Sequence, residues 1–130
     1  MISQQECMKF VLKQQPAFQS RWQSFLDDWG AEEPGLCNNI AEFSEYVINL
    51  ANEKSTQNFT EIFNLVEQLL VDGDKTVKDA IATCFLENLL NAASNGIIDP
   101  QSFVPFLSQE SRTYCKAWDE FTGVHTPGLW

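Results

Sequence analysis

Basic side chains are scarce in this sequence of 130 residues, which has 8 Lys and Arg against 18 Asp and Glu and a formal net charge of −10. Nucleic-acid binding depends on clustered cations that displace phosphate counterions, so the composition argues against a nucleic-acid partner. An anionic membrane surface is disfavoured for the same reason. No apolar run approaches the ~18 residues of a transmembrane helix, so no membrane-spanning segment is predicted.

Local cysteine motifs are also missing. Cys7, Cys37, Cys84 and Cys115 are widely spaced and include no CxxC pair, so the pattern supports neither a disulfide scaffold nor a zinc site. We therefore expect buried, reduced thiols that behave as small apolar side chains. The first six residues lack the basic start and apolar core of a signal peptide. Together these features predict a cytoplasmic location.

The sequence lacks the alternating pattern of β-strands, and only 5 Pro and 6 Gly interrupt its helical periodicity. It predicts an all-α fold of about seven helices in antiparallel hairpins, either HEAT-like or an irregular bundle. Residues 1–123 are expected to form one helical domain and residues 124–130 a C-terminal tail. A helix over about 75–94 is apolar around most of its circumference, which predicts that it is the central, surrounded helix.

Negative charge is concentrated in the middle of the chain. Residues 22–74 contain eleven carboxylates and a single cation, Lys54. A surface of one sign attracts a partner of the other sign. Within this segment, Glu42, Glu45, Asn49 and Glu53 fall on one face of a predicted helix over about 38–54.

We therefore predict an acidic docking face for a basic protein partner. The alternative is a solvated helix face with no binding role, and the sequence leaves both open. Asp27, Asp28, Glu32 and Glu33 lie just upstream in sequence and could extend the face. The predicted partner-binding residues are Asp27, Asp28, Glu32, Glu33, Glu42, Glu45, Asn49 and Glu53.

Catalytic and metal-binding patterns are weak. Asp72-Gly73-Asp74 begins like a calcium-binding loop, but the sixth loop position is Val77, where such a loop needs Gly. His125 is the only histidine, which excludes a His-rich metal site, and it belongs to no nucleophile motif. Asp79 and Glu87 are eight residues apart on a helix, about 12 Å, which is too far for paired catalytic carboxylates. We expect no enzymatic activity, no metal and no cofactor.

The tryptophans have two possible roles. Trp22, Trp29 and Trp118 lie on apolar helical stripes, which favours core positions, although Trp is also frequent among interface anchors. The role of Trp130 in the tail stays open.

A family resemblance appears in the helical hairpin at Asp72-Gly73-Asp74. The pattern FxxxExLLxxGDxxVxxAxATCFLExLL, over residues 63–90, resembles a family of small, acidic, cytoplasmic bacterial domains, and Tyr114-Cys115-x-x-Trp118 is a weaker echo of it. The resemblance implies a helical fold without an assigned enzymatic activity, and it implies an association of some members with toxin-immunity gene clusters. The hairpin is also similar to a HEAT-type hairpin.

The leading functional hypothesis is an immunity or inhibitor protein that neutralises a basic partner such as a toxin. The alternative is a small helical adaptor or self-associating module. The oligomeric state is left open by the sequence.

Overall fold

The computed structural model describes residues 1–130, and it confirms the all-α prediction. The α-helices are α1 (Cys7–Gln14), α2 (Gln19–Trp29), α3 (Leu36–Asn52), α4 (Phe59–Asp72), α5 (Lys75–Ala80), α6 (Glu87–Ser94) and α7 (Gln109–Thr122). Short 3-10 turns cover Pro16–Phe18, Pro100–Ser102 and Val104–Phe106. None of the helices combines the length and the apolar character that crossing a membrane would demand.

Helices α2 and α3 form a hairpin held together by aromatic rings. Phe18, at the start of α2, packs against Phe43 and Tyr46 of α3, with both pairs of ring centroids 5.1 Å apart. The stretch of residues 30–35 turns the chain back, and Gly30 adopts a φ of 65°, which glycine tolerates better than other residues. The inner face of α3 is thereby buried, and its opposite face is left at the surface.

The helix predicted over residues 75–94 is present, but it is not a uniform α-helix. A π-helical segment, Ile81–Leu86, joins α5 to α6. As expected, this continuous helix is central, because it packs against α3, α4 and α7. Phe85 of the π-helical segment is fully buried and its ring lies 5.6 Å from that of Phe43. A π-helical turn is a rare element that periodicity counted at 3.6 residues per turn does not reveal.

The connection between α4 and α5 is tight because it is stapled to the N-terminus. Ile2 and Gly73 form an isolated β-bridge, in which Ile2 N donates to Asp72 O and Asp74 N donates to Ile2 O. A Cβ at Gly73 would lie 2.4 Å from the carbonyl oxygen of Leu69, so no other residue fits there. Asp74 then caps α5 by accepting a 2.9 Å hydrogen bond from the amide of Val77.

The prediction of four reduced thiols was wrong for two of them. Cys37, in the first turn of α3, is joined by a disulfide to Cys84 of the π-helical segment, across 47 residues of sequence. Cys37 is exposed and Cys84 is buried. Sequence spacing detects local pairs only, whereas this pair forms because α3 packs lengthwise on the central helix. Cys7 and Cys115 are free and buried, as expected.

The C-terminal residues 124–130 pack onto α7. The buried carboxylate of Asp119 accepts hydrogen bonds from the amide of Thr126, at 2.7 Å, and from its hydroxyl, at 2.8 Å. Arg112 donates to the carbonyl oxygen of Leu129, and the Leu129 side chain is buried. The C-terminal segment is thus anchored on the side of α7 that carries Arg112 and Asp119.

Candidate functional site

All eight residues of the predicted docking face belong to the α2–α3 hairpin or its ends, which we call the acidic hairpin. Asp27 and Asp28 lie in the last turn of α2, Glu32 and Glu33 in the following loop, and the other four on or just after α3. The full set is Asp27, Asp28, Glu32, Glu33, Glu42, Glu45, Asn49 and Glu53. Every member except Glu42 is exposed. The set thus shares the hairpin but spans its length: residues 27–33 lie before the start of α3, and Glu53 lies beyond its other end, about 25 Å along the helix axis.

Glu42 differs from the other members because its charge is already neutralised. Arg21 of α2 forms an ion pair with it, and the two side chains are 32 % and 20 % exposed. Sequence inspection along α3 missed this cation, since Arg21 is 21 residues away and one position outside the acidic segment. Glu42 thus helps to hold α2 on α3, and its carboxylate is not free for a partner.

Glu45 lies at the edge of a shallow groove between α3 and α6. Three asparagines of α6 and its end, Asn88, Asn91 and Asn95, line the other side with Ile97. Asn88 is already engaged, because its amide group donates to the Ser44 hydroxyl and to the Cys84 carbonyl. The groove combines three apolar side chains, those of Ile48, Ala92 and Ile97, with these amides and one carboxylate, so it can accept mixed apolar and hydrogen-bonding groups of a protein surface.

Asp27 and Asp28 occupy an unfavourable place for negative charge. The C-terminus of a helix is the negative end of its dipole, and the last turn of α2 contains no basic residue that would compensate. The only side-chain hydrogen bond to either carboxylate comes from Gln23, at 3.1 Å. Glu53 likewise follows the end of α3, whose last turn has no basic residue. These charges do not stabilise the helices that carry them.

Several carboxylates outside the acidic hairpin have clear structural roles. Glu67 of α4 accepts from two amides in the first turn of α7, those of Glu110, at 2.7 Å, and Ser111, at 3.0 Å. Asp74 caps α5, and Asp79 pairs with Lys75 one turn earlier. Helix N-termini attract negative charge, so Glu67 and Asp74 stabilise the fold. Asp72 and Glu120 are exposed near the ends of α4 and α7, whose last turns also lack a basic residue, so acids at unfavourable helix ends are not confined to the acidic hairpin.

Carboxylates are dispersed over the surface depressions. No group of three or more His, Cys, Asp or Glu side chains is placed to hold a metal ion. Each of five surface depressions contains at most one carboxylate. The two free thiols are inert, because burial raises the pKa of Cys7 to about 11 and that of Cys115 to about 12.

Sequence reasoning missed one exposed apolar surface. Tyr114, Ala117, Trp118 and Phe121 line a shallow depression on α7, which we call the α7 aromatic face. Trp118 was expected in the core but is only partly buried, as is Trp29, whereas Trp22 is buried as expected. The four residues of the α7 aromatic face follow the i, i+3, i+4, i+7 spacing of an apolar stripe, but this spacing does not say whether another helix covers the stripe.

The comparison with known families assigns the chain to one of them. Residues 8–123 match a family described as a domain of unknown function, DUF7674, and the chain belongs to this family. No curated protein and no solved structure matches the chain.

Proposed function

We propose that this protein is a non-catalytic binding domain that neutralises a basic protein, most concretely an immunity or inhibitor protein acting on a cationic toxin such as a nuclease. The acidic hairpin is the proposed docking surface. Glu42 is excluded from direct contact because Arg21 already pairs with it. The remaining members, Asp27, Asp28, Glu32, Glu33, Glu45, Asn49 and Glu53, are exposed.

The observation that carries the proposal is the placement of uncompensated charge. Only two ion pairs form in the whole protein, Arg21–Glu42 and Lys75–Asp79. Asp27 and Asp28 sit where the helix dipole opposes them, and each such charge costs about 0.3–1 kcal/mol. Carboxylates that destabilise their own helix are expected where a partner supplies the missing cations. The resemblance to domains associated with toxin-immunity gene clusters supports the same interpretation.

In the proposed mechanism, the hairpin carboxylates occupy the positions that phosphate groups of the toxin's substrate would take, or they cover the rim of its cleft. Long-range attraction between an acidic surface and a basic one increases the association rate. Short-range packing of apolar groups then slows dissociation. Neither step requires a cofactor or a reaction on this chain.

The experiment that tests the proposal compares baits in a lysate of the source organism at low salt. The wild type should capture a protein with a pI above about 9, and the variant D28K/E45K/E53K should not. Each substitution changes the charge by two units without touching a residue that the fold uses. The captured protein should be toxic when expressed alone and harmless when expressed with the wild-type chain.

The matched control is Glu61→Lys, which changes an exposed carboxylate in the first turn of α4, outside the acidic hairpin. This bait should capture the same protein as the wild type. Equal capture by the triple variant, or a captured partner that is acidic, would refute the proposal.

A cytoplasmic location belongs to the proposal, and the Cys37–Cys84 disulfide provides its test. Disulfides are rare in a reducing cytoplasm. Cells quenched in acid, with the protein then denatured at neutral pH in an alkylating reagent, should therefore yield a chain with four modified thiols, the Cys37–Cys84 bond forming only once the protein leaves that reducing compartment. A chain with two modified thiols would place the protein in an oxidising compartment.

A further inference from the structure

The α7 aromatic face is a surface that the proposed function does not use. Phe121 is 83 % exposed, compared with 56 % for Trp130. Its ring lies 5.9 Å from that of Trp118, so the two rings form one surface. The Tyr114 hydroxyl donates a hydrogen bond to Glu87 of α6, which fixes the third ring of the face.

Tyr114 and Trp118 are partly buried against the core, and no segment of the chain covers the Phe121 ring. Residues 124–130 pack on the side of α7 that carries Arg112 and Asp119, where Thr126 bonds to Asp119. On an α-helix, Asp119 points about 160° away from Phe121, so the C-terminal segment lies behind the aromatic face. The face therefore stays open to another molecule.

The charges around the face indicate what that molecule carries. Glu110 lies on the same stripe, Glu120 is adjacent to Phe121, and both are exposed. The cations of α7 are directed elsewhere. Arg112 donates to the carbonyls of Val104 and Leu129, and Lys116 lies 5.4 Å from the Trp130 ring. Two exposed carboxylates thus lie near the aromatic rings in sequence, and neither Arg112 nor Lys116 pairs with these carboxylates.

We infer that the α7 aromatic face binds an arginine-bearing, amphipathic segment of a cationic protein partner. Guanidinium groups stack on aromatic rings and pair with nearby carboxylates, while apolar residues fill the depression between Tyr114 and Phe121. A second copy of this chain is a poorer occupant, since it would bring the same carboxylates against each other and add another charge of −10. The inference rests on the proposed function only in taking the partner to be basic.

The test uses a synthetic helical peptide of about 24 residues as the probe, with Leu at i, i+3, i+4 and i+7 along one face and Arg at the other positions, and a Glu–Leu peptide of the same pattern as its control. Binding is followed by NMR through the indole N–H signal of Trp118 in the D28K/E45K/E53K background, whose hairpin no longer attracts the probe, at low salt so that Glu110 and Glu120 are not screened. The Arg–Leu probe should shift this signal, and Phe121→Ala should weaken its binding at least about tenfold. Val71→Ala, at a residue of α4 that is 54 % exposed and lies outside both proposed surfaces, should leave binding unchanged.

Three results would overturn the inference: equal affinity of wild type and Phe121→Ala, equal binding of the Glu–Leu peptide, or a dimer in sedimentation that Phe121→Ala dissociates. The last result would show that a second copy covers the face. The variant D28K/E45K/E53K separates this inference from the proposed function. If only D28K/E45K/E53K loses partner capture, the acidic hairpin binds the partner and the α7 aromatic face does not. If only Phe121→Ala loses partner capture, the α7 aromatic face binds the partner and the acidic hairpin does not.

Discussion

Removing the Cys37–Cys84 disulfide should destabilise the protein by about 4 kcal/mol. The bond closes a loop with a sequence separation of 47 residues, and in the chain-entropy model a loop of this size restricts the unfolded chain by about 4 kcal/mol at 25 °C. The folded state should change little, because Phe43 and Phe85 already hold α3 against the central helix. The double variant C37S/C84S should therefore keep its helical content and unfold at a lower urea concentration.

The assay is urea unfolding followed by circular dichroism, with and without a dithiol reductant. Wild type with reductant should behave like C37S/C84S, and the double variant should show no response to reductant, since Cys7 and Cys115 are free. The denatured state of the oxidised chain is more compact, so its m-value should be smaller. Four titratable thiols in the unfolded, non-reduced chain, or equal stability with and without reductant, would refute the pairing.

Three further predictions concern charge and protonation. D27N/D28N should raise the free energy of unfolding by about 0.5–2 kcal/mol at low salt, and the gain should vanish at high salt, because both carboxylates oppose the α2 dipole; a loss of stability in urea unfolding would contradict this. Burial raises the pKa of the Cys7 thiol to about 11 and that of the Cys115 thiol to about 12. The neutral thiols therefore contribute their full stability below pH 9.0, the ordinary thiol pKa, and this contribution falls as the pH rises from 9.0 toward 11 and 12. Urea titrations at pH 8 and pH 10.5 should show this decline, more weakly in C7A, and an equal decline in C7A would argue against it. Glu67→Gln should lower the free energy of unfolding by about 1 kcal/mol, because the Glu67 carboxylate accepts hydrogen bonds from two amides in the first turn of α7. Hydrogen exchange of these amides should become faster, and unchanged exchange would show that α7 does not need the cap.

The helices could be predicted because their signals are local. The predicted helices over about 38–54 and 75–94 are each readable from a few neighbouring residues, and the structure is helical in both places. The central place of the helix over 75–94 also followed from its own composition. Its π-helical segment did not, since an inserted π-turn shifts the phase of the stripe without changing which residues are apolar.

Contacts between distant segments were the part that sequence patterns could not supply. The Cys37–Cys84 bond and the Arg21–Glu42 pair each join residues whose proximity depends on how α3 packs against its neighbours. The same holds for Trp118, since the apolar stripe of α7 is wider than the surface that α4 and α6 cover. In each case the residue type was visible in the sequence, and its partner, or the lack of one, was set by tertiary packing.

The positions of the carboxylates separate charge that serves folding from charge available for binding. An acid that stabilises the fold is found near helix N-termini or opposite a cation, as are Glu67, Asp74 and Glu42. An acid in the last turn of a helix that has no basic residue there opposes the helix dipole, as Asp27 and Asp28 do here. Natural sequences tolerate such a cost most readily where activity requires it. Net charge alone counts both kinds of carboxylate equally, whereas under the proposed function only the second kind would offer a basic partner a charge that the fold has not already used.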